Sequence, residues 1–352
     1  MKSLMMKNVA YAVLAIAAVT AAPAWAQNAT KYEADLSWPK PLPDKWVIGG
    51  LGGLCVDAQD HVLILNRQDV LDVDLNAGKL APQMIEFDPA GNVVNSWGDP
   101  KLIDSRLHSC HFDKDGSVWI AAAPSGMVQK YTHDGKTLLM TIGQKGKLDS
   151  ADGTPKGKPL NTPGPTFFMP SGIDVDTNGD VYVSDGEGGG TNKRVAVFDS
   201  SGKFLRQWVI DDMESVHCMT LGNDGMVYVC NRQGASVRVY DKMGGLKRTI
   251  ALPWTPVTPP ANGAAPKQSG GAAVIVGFSP DPQQRLMFVV NQNNAQVDIV
   301  ERESGKKVGS FGRPGSFPGQ FNQAHGMAVD SKGNVYVDEN RGRRVHKFRP
   351  VS

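Results

Sequence analysis

The chain has 352 residues, of which 37 are lysine or arginine and 35 are aspartate or glutamate, so its formal net charge is +2. Such a balanced composition lacks the basic excess of nucleic-acid-binding proteins, and we expect no nucleic-acid partner. A chain of this length would form one large domain or two ordinary ones, and its 39 glycines and 23 prolines favour many turns.

The N-terminal segment has the three parts of a secretory signal peptide. Lys2 and Lys7 precede a largely apolar stretch over 9–22, and the motif AWA ending at Ala26 fits the small-x-small pattern of a signal-peptidase site. A transmembrane anchor is the alternative, but it needs about 20 apolar residues, and this stretch is shorter. We predict a signal peptide over 1–26, cleavage after Ala26, and a periplasmic or secreted protein that has no membrane contact after cleavage.

One sequence unit recurs along the rest of the chain. Each copy has a short apolar strand, a polar turn, a second strand such as VYV, and a further hairpin with Asp-Gly or Ser-Gly at its turn. The copies are LGGLCVDAQDHVLIL from Leu51, LHSCHFDKDGSVWIA from Leu107, PSGIDVDTNGDVYVS from Pro170, VHCMTLGNDGMVYVC from Val216, the weaker AVIVGFSPDPQQRLMFVV from Ala273, and AHGMAVDSKGNVYVD from Ala324. Four antiparallel strands repeated radially form a β-propeller, so we predict an all-β, six-bladed propeller as one domain over 27–352.

The two ends of this domain are complementary. The last copy ends after VHKFRP, one strand short of a blade, and the strand-like YEADLSW at Tyr32 has no partner of its own. We predict that the N-terminal strand completes the last blade and removes the open sheet edge. A pair of β-sandwich domains is the alternative, but it lacks a regular repeat of this kind. The Pro- and Gly-rich stretches 145–165 and 253–271 are expected to be insertions between blades.

Histidine occupies one register position in alternate copies. We take Asp57, Asp113, Asp176, Gly222, Ser279 and Asp330 as the last residues of the first strands. The residues five positions earlier are Gly52, His108, Ser171, His217, Val274 and His325. First strands line the channel of a propeller, and alternate blades lie about 120° apart, so the three imidazoles should converge on the axis.

Three histidines with an open fourth position are typical of a catalytic zinc site. We predict that His108, His217 and His325 bind Zn²⁺ or another divalent metal, and a structural Ca²⁺ is an additional expectation. Any one of these histidines taken alone would be interpreted as a packed, hydrogen-bonded core residue. The other four histidines are expected to be structural or exposed; they are His61, His111, His133 and His346.

Charged residues follow the second strands, where they would lie at a channel mouth. They are Arg67, Asp185, Glu187, Arg232, Glu339 and Arg341. We predict that Glu187 acts as a general base or binds the metal, and that Arg67 and Arg232 hold a substrate carboxylate. The alternative for each residue is a salt bridge between blades.

The four cysteines are interpreted by their positions in the hairpins. Cys218 and Cys230 are equidistant from Asp224, so antiparallel pairing would place them opposite each other and allow a disulfide. Cys55 and Cys110 lie on first strands of neighbouring blades, and their pairing stays open. A thiolate ligand at Cys110, two residues from His108, is an alternative.

These motifs resemble NHL-repeat propellers, and specifically the peptidyl-α-hydroxyglycine α-amidating lyases and their bacterial relatives. The resemblance covers nearly the whole predicted mature chain through WPKPLPDKW, LNRQ, HSCHFDKDG, VSDGEGGGTNKRVAVF, HCMTLGNDGMVYVCNR and HGMAVDSKGNVYVDENRGRRVHKF. It implies that the three channel histidines bind zinc and that Arg67 and Arg232 contact substrate. In that family a tyrosine acts as base in a reaction that releases glyoxylate and leaves a peptide amide. Here Glu187 stands at the tyrosine's place after Asp185-Gly186.

The sequence is compatible with three functions. The first is a monomeric, metal-dependent, lyase-like enzyme that acts on a small-molecule or peptide substrate bearing a hydroxyl or carboxylate group. The second is a non-catalytic propeller that binds a peptide, glycan or protein partner through its face loops. The third, a calcium-dependent lactonase-like hydrolase, ranks last because such a site needs oxygen ligands where this chain has histidines.

Overall fold

Six four-stranded antiparallel sheets surround a central channel in the computed structural model, which describes residues 31–252, 254 and 271–351. The first strand of each blade contacts the first strand of the next, and blade six contacts blade one. The predicted all-β, six-bladed propeller is therefore confirmed. The predicted signal peptide over 1–26 lies outside the described residues. Among those residues, no helix has the length and apolar character needed to cross a membrane.

The strand bounds follow the repeat. Blade one consists of Leu51–Val56, Val62–Asn66, Met84–Phe87 and Val93–Trp97. Blade two consists of Leu107–Phe112, Val118–Ala122, Met127–Tyr131 and Leu138–Gly143. Blade three consists of Pro170–Val175, Val181–Asp185, Arg194–Phe198 and Phe204–Val209. Blade four consists of Val216–Leu221, Val227–Asn231, Ser236–Tyr240 and Leu246–Ala251. Blade five consists of Val276–Phe278, Leu286–Asn291, Gln296–Glu301 and Lys307–Phe311. Blade six consists of Ala324–Val329, Val335–Glu339, Arg344–Pro350 and Tyr32–Ala34. A small parallel pair joins Trp46–Val47 to Lys79–Leu80, and single 3₁₀ turns occupy Pro43–Lys45 and Asp74–Asn76.

The first strands end one residue earlier than predicted. In blade one the strand ends at Val56, and Asp57 begins the turn. The Asp57 Oδ1 atom accepts hydrogen bonds from the backbone N–H groups of Gln59 at 2.8 Å and His61 at 2.7 Å. A carboxylate that organises its own turn competes with the strand for these donors, which is why the ladder stops before it.

The N-terminal strand closes the ring as predicted. Tyr32–Ala34 pairs antiparallel with Arg344–Pro350, so that Tyr32 lies opposite Pro350. The Tyr32 ring also packs against blade five, with its centroid 4.9 Å from that of Phe311 and 5.6 Å from that of Phe288. Closure therefore buries apolar surface between blades as well as completing hydrogen bonds.

The apolar core lies between adjacent blades. Alternating strand residues pack on the face of the next sheet, and the large buried side chains include Trp119, Tyr182, Tyr228 and Tyr336. The stretch 145–165 connects blade two to blade three, while 253–271 lies almost entirely outside the described residues. This layered core holds the inner strands in a fixed register around the channel.

Both pairs of cysteines form disulfides. The predicted Cys218–Cys230 bond crosses the first hairpin of blade four, with Cα atoms 4.9 Å apart. Cys55 is bonded to Cys110, with Cα atoms 5.7 Å apart, and links blade one to blade two. The thiolate-ligand alternative for Cys110 is therefore wrong, because its sulfur is already in a covalent bond.

The two disulfides are expected to differ in their contribution to stability. Their sequence separations are 55 and 12 residues, and a longer closed loop restricts the unfolded chain more. The loop-entropy relation gives losses of about 4 kcal/mol for C55A/C110A and about 3 kcal/mol for C218A/C230A. Urea unfolding of both double variants under one set of conditions measures this. An equal or larger loss for the blade-four pair would contradict the expected order.

Candidate metal centre

Three histidines meet at the channel axis, and each is the second residue of a first strand. His108, His217 and His325 are all buried, and their ring centroids lie 4.8, 4.9 and 5.2 Å apart. In each blade the pairing of the first two strands shifts register at the histidine. A β-bulge of this kind turns a side chain out of the ladder direction. The structure thus brings together the three residues that alternate-blade spacing selected.

A glycine allows the sixth blade to approach this closely. A Cβ atom at Gly326 would lie 2.4 Å from Asp338 Oδ2 and 2.7 Å from the Cα atom of Gly53 in blade one. Any side chain at 326 would therefore push His325 away from the axis.

Backbone carbonyls of the intervening blades orient two of the rings. Nδ1 of His108 lies 2.6 Å from the carbonyl oxygen of Ser171, and Nδ1 of His217 lies 2.7 Å from that of Val274. A carbonyl can only accept, so each Nδ1 carries the hydrogen and each Nε2 presents its lone pair to the channel. Ser171 and Val274 are the register equivalents of the histidines in blades three and five.

The nitrogens that face the channel fit a metal. Nε2 of His108, Nε2 of His217 and Nδ1 of His325 are buried without a hydrogen-bond partner among the described residues, and ligand atoms from the three rings lie within 4.8 Å of one another. Burial, with neighbouring positive charges, holds the pKa of His217 and of His325 well below the usual range. Neutral imidazoles with free lone pairs are the form that binds Zn²⁺ and similar ions.

Glu187 lies directly against this tripod. Its Oε2 atom is 3.1 Å from Nε2 of His217 and 3.4 Å from Nε2 of His108. Burial alone would raise the pKa of Glu187, but its close contacts with His217 and His108 and the charge of Arg232 hold it well below the usual range. An ionised carboxylate at this distance can bind the same ion or accept a proton from a group bound to it.

Of the two predicted arginines, Arg232 lies beside the carboxylate and Arg67 is bonded to the backbone of blade two. Nη1 of Arg232 is 3.7 Å from Glu187 Oε1, and its Nη2 donates to the side chain of Gln292 at 3.0 Å. Arg67 donates from Nε to the carbonyl oxygen of Leu107 at 2.9 Å, while its buried Nη2 has no hydrogen-bond partner among the described residues. Burial lowers the pKa of both guanidinium groups below their usual value, yet arginine stays charged in proteins.

Two other channel-mouth candidates are instead structural. Asp185 is fully buried and bonded to Arg194, with 3.0 Å between its Oδ2 atom and Nε. Glu339 is likewise buried and bonded to Arg344 at 2.6 Å. Both residues form salt bridges, but these lie within a blade, so the alternative of a salt bridge between blades is wrong for them.

One charged neighbour of Glu187 was not predicted from the sequence. Nη2 of Arg106 lies 3.5 Å from Glu187 Oε1, and its side chain is half-exposed. Arg106 precedes the first strand of blade two by one residue, whereas the charged residues predicted at the channel mouth all follow second strands. Its position two residues before the predicted metal ligand His108 could have identified it.

Comparisons with known proteins agree with the repeat and the fold. Residues 167–198 match the NHL repeat family model. The chain is 25% identical to human NHL repeat-containing protein 3, covering 95% of this chain and 88% of that protein. It is 24% identical to peptidyl-alpha-hydroxyglycine alpha-amidating lyase 1 of Drosophila melanogaster, covering 75% of this chain and 48% of that one.

Solved structures share the fold at lower identity. Virginiamycin B lyase from Staphylococcus aureus superposes with a TM-score of 0.52 at 14% identity, over 91% of this chain and all 100% of that one. Similarity at this level concerns the fold alone. The chain is therefore a six-bladed β-propeller with an NHL repeat, similar over most of its length to NHL repeat-containing protein 3 and to an amidating lyase.

Proposed function

We propose that this protein is an exported, metal-dependent, lyase-like enzyme that acts in the propeller channel on a small substrate bearing a hydroxyl and a carboxylate. The observation that carries the proposal is the convergence of three buried ring nitrogens that have no hydrogen-bond partner among the described residues, two of them within 3.4 Å of the Glu187 carboxylate. Export is supported by the two disulfides, which persist in oxidising compartments.

The roles follow from the chemistry of each group. A divalent metal held by His108, His217 and His325 would supply Lewis-acid polarisation of a substrate oxygen. Glu187 would accept the hydroxyl proton, since its carboxylate lies 3.1 Å from Nε2 of His217 and 3.4 Å from Nε2 of His108. Arg67 and Arg232 would hold the substrate carboxylate, because guanidinium groups bind carboxylates through paired hydrogen bonds.

An N-acyl-α-hydroxyglycine is the substrate class that fits these roles. Its hydroxyl loses a proton to Glu187, the C–N bond breaks, and the leaving nitrogen takes up a proton. The products are an amide and glyoxylate, and the atoms balance without an oxidant or a reductant. One relative is named for acting on peptides of this class, which supports the choice of probe.

The foundation of the proposal is tested by metal content together with glyoxylate release. We expect the variant H108A/H217A/H325A to bind one Zn²⁺ per chain fewer than the wild type and to release no glyoxylate above background from an N-acyl-α-hydroxyglycine. Elemental analysis after chelation and Zn²⁺ reloading measures the first, and a colorimetric glyoxylate assay measures the second. The single variant H217N serves if the triple variant fails to fold.

A matched control uses a histidine outside the channel. His346 is bonded to Glu339 at 2.5 Å and lies away from the tripod, so H346N should keep the channel ion and the activity. If the triple variant and the wild type bind equal amounts of Zn²⁺, the metal site does not exist. If the wild type binds Zn²⁺ but releases no glyoxylate, the reaction is wrong, and a propeller that binds partners becomes the better explanation.

A further inference from the structure

A second group of metal-binding side chains lies between blades one and two, at the opposite end of the blades from the channel histidines. It consists of Asp57 and His61 from the first turn of blade one, Glu86 from its third strand, and His133 from the last turn of blade two. Asp57 is five residues beyond the register position of the histidines, which is about 16 Å along a strand. The sequence predicted only a structural or exposed role for both histidines.

The distances within this group match one small coordination sphere. Glu86 Oε1 is 2.8 Å from His133 Nε2 and 3.1 Å from His61 Nδ1. Asp57 Oδ2 is 3.6 Å from His61 Nδ1 and 3.8 Å from His133 Nε2. Ligand atoms around a tetrahedral Zn²⁺ ion with bonds near 2.0 Å lie about 3.3 Å apart, and the four distances scatter around that value.

Hydrogen bonds to Asp57 and Glu86 occupy one oxygen of each carboxylate and leave the other oxygen facing the two histidines. Asp57 Oδ1 accepts two backbone N–H groups, and Glu86 Oε2 accepts the Asn95 amide at 3.1 Å. The remaining oxygens, Asp57 Oδ2 and Glu86 Oε1, both face the imidazoles. Partners in this outer layer fix the orientation of metal ligands.

The His133 ring is fixed in the same way. Its Nδ1 lies 3.1 Å from the carbonyl oxygen of Gly116, so that nitrogen donates and Nε2 presents a lone pair. In the neutral ring that lone pair would face the acceptor Glu86 Oε1 at 2.8 Å with no hydrogen between them. Such an arrangement needs either a second proton on the ring or a cation between the two atoms.

The second aspartate oxygen decides between these two explanations. Asp57 is 8% exposed, and its Oδ2 atom is buried with no hydrogen-bond partner among the described residues. A proton on His133 would satisfy Glu86, but it would leave this buried oxygen without a partner, which is costly. A metal ion bound by all four groups satisfies every one of these atoms.

We propose that Asp57, His61, Glu86 and His133 form a second, structural site for Zn²⁺ that joins blades one and two. Two imidazoles and two carboxylates favour Zn²⁺ or a related transition metal over Ca²⁺, which takes oxygen ligands. With four protein ligands the site is closed, as structural zinc sites are. The site joins the same two blades as the Cys55–Cys110 disulfide.

The test uses Zn²⁺ alone in a chain whose channel site has been removed. We expect H108A/H217A/H325A to retain about one Zn²⁺ per chain after chelation and reloading, and the further change His133→Asn to abolish that binding. In the otherwise wild-type chain, H133N and D57N should each lower the Zn²⁺ content by one ion and leave glyoxylate release unchanged. Elemental analysis and the Co²⁺ absorption spectrum measure the sites.

His111→Asn is the matched control. His111 of blade two is also paired with an aspartate of a neighbouring blade, since its Nδ1 atom lies 3.0 Å from Asp174 of blade three. It belongs neither to the channel histidines nor to the proposed second site. The H111N variant should bind as much Zn²⁺ as the wild type. The second site is disproved if the folded channel variant takes up no Zn²⁺, or if H133N, D57N and H111N all match the wild type. Failure of the proposed function is a separate result, because it concerns only the ion and the activity lost with the channel histidines.

Discussion

Replacing Glu187 by glutamine is expected to lower kcat for glyoxylate release about 10²–10⁴-fold while the channel ion stays bound. The amide has the shape of the carboxylate but cannot accept the hydroxyl proton. Three imidazoles remain to hold the metal, and the nearest lies 3.1 Å from the altered group. Steady-state kinetics and elemental analysis of the same preparation separate the two effects.

Replacing the arginines should produce the opposite pattern. R67L and R232L remove groups that would hold the substrate carboxylate, so KM should rise with a smaller change in kcat.

If E187Q loses the ion, Glu187 is a metal ligand and not a base. If E187Q retains full kcat, the carboxylate has no part in the chemistry. Both results would remove Glu187 from the proton-transfer role.

Asp185→Ala is expected to lower the free energy of unfolding by about 3–5 kcal/mol, the usual loss when one partner of a buried ion pair is removed. Asp185 and Arg194 are both fully buried, 3.0 Å apart. The aspartate also accepts the backbone N–H groups of Phe168 at 3.0 Å and Met169 at 2.7 Å. Its loss would leave two backbone donors and the Nε group of the buried Arg194 without their acceptor, and the nearest remaining carboxylate oxygen, on Asp149, lies 3.8 Å from Arg194. Urea unfolding followed by fluorescence measures the change.

An exposed ion pair provides the control for this effect. Asp212 bonds Arg238 at 2.5 Å, but the aspartate side chain is 71% exposed. Surface pairs contribute about 0–1 kcal/mol, so D212A should unfold almost as the wild type does. A loss for D185A as small as that for D212A would mean that the Asp185–Arg194 pair does not stabilise blade three. In that case it would not anchor the loop that carries Glu187.

The fold could be predicted from the sequence because the repeated unit determines it. Each copy specifies four strands and their turns locally, and the missing strand at the C-terminus pointed to the one at Tyr32. The histidine tripod followed from the same register, because equivalent positions in a propeller are related by rotation. These inferences need only the position within a repeat, not the distance between particular side chains.

Contacts between different positions of neighbouring blades could not be predicted in this way. The Cys55–Cys110 bond depends on how far one blade is shifted and twisted relative to the next, which the repeat does not specify. The approach of His133 to Glu86 joins a turn of one blade to a strand of another. Arg194 lies on the third strand of its blade, so its pairing with Asp185 requires the strand register, which only the structure supplies.

Ring closure by Tyr32–Ala34 has a consequence for the order of assembly. The first strand of the propeller pairs with the last, so the sixth sheet cannot form until almost the whole chain is present. Contacts between residues so far apart in sequence are typical of slow folding. His325 belongs to that last sheet, and a tripod built from blades two, four and six is complete only in the closed ring. An ion held by all three rings would therefore bind only the finished propeller and favour it over every open intermediate by mass action.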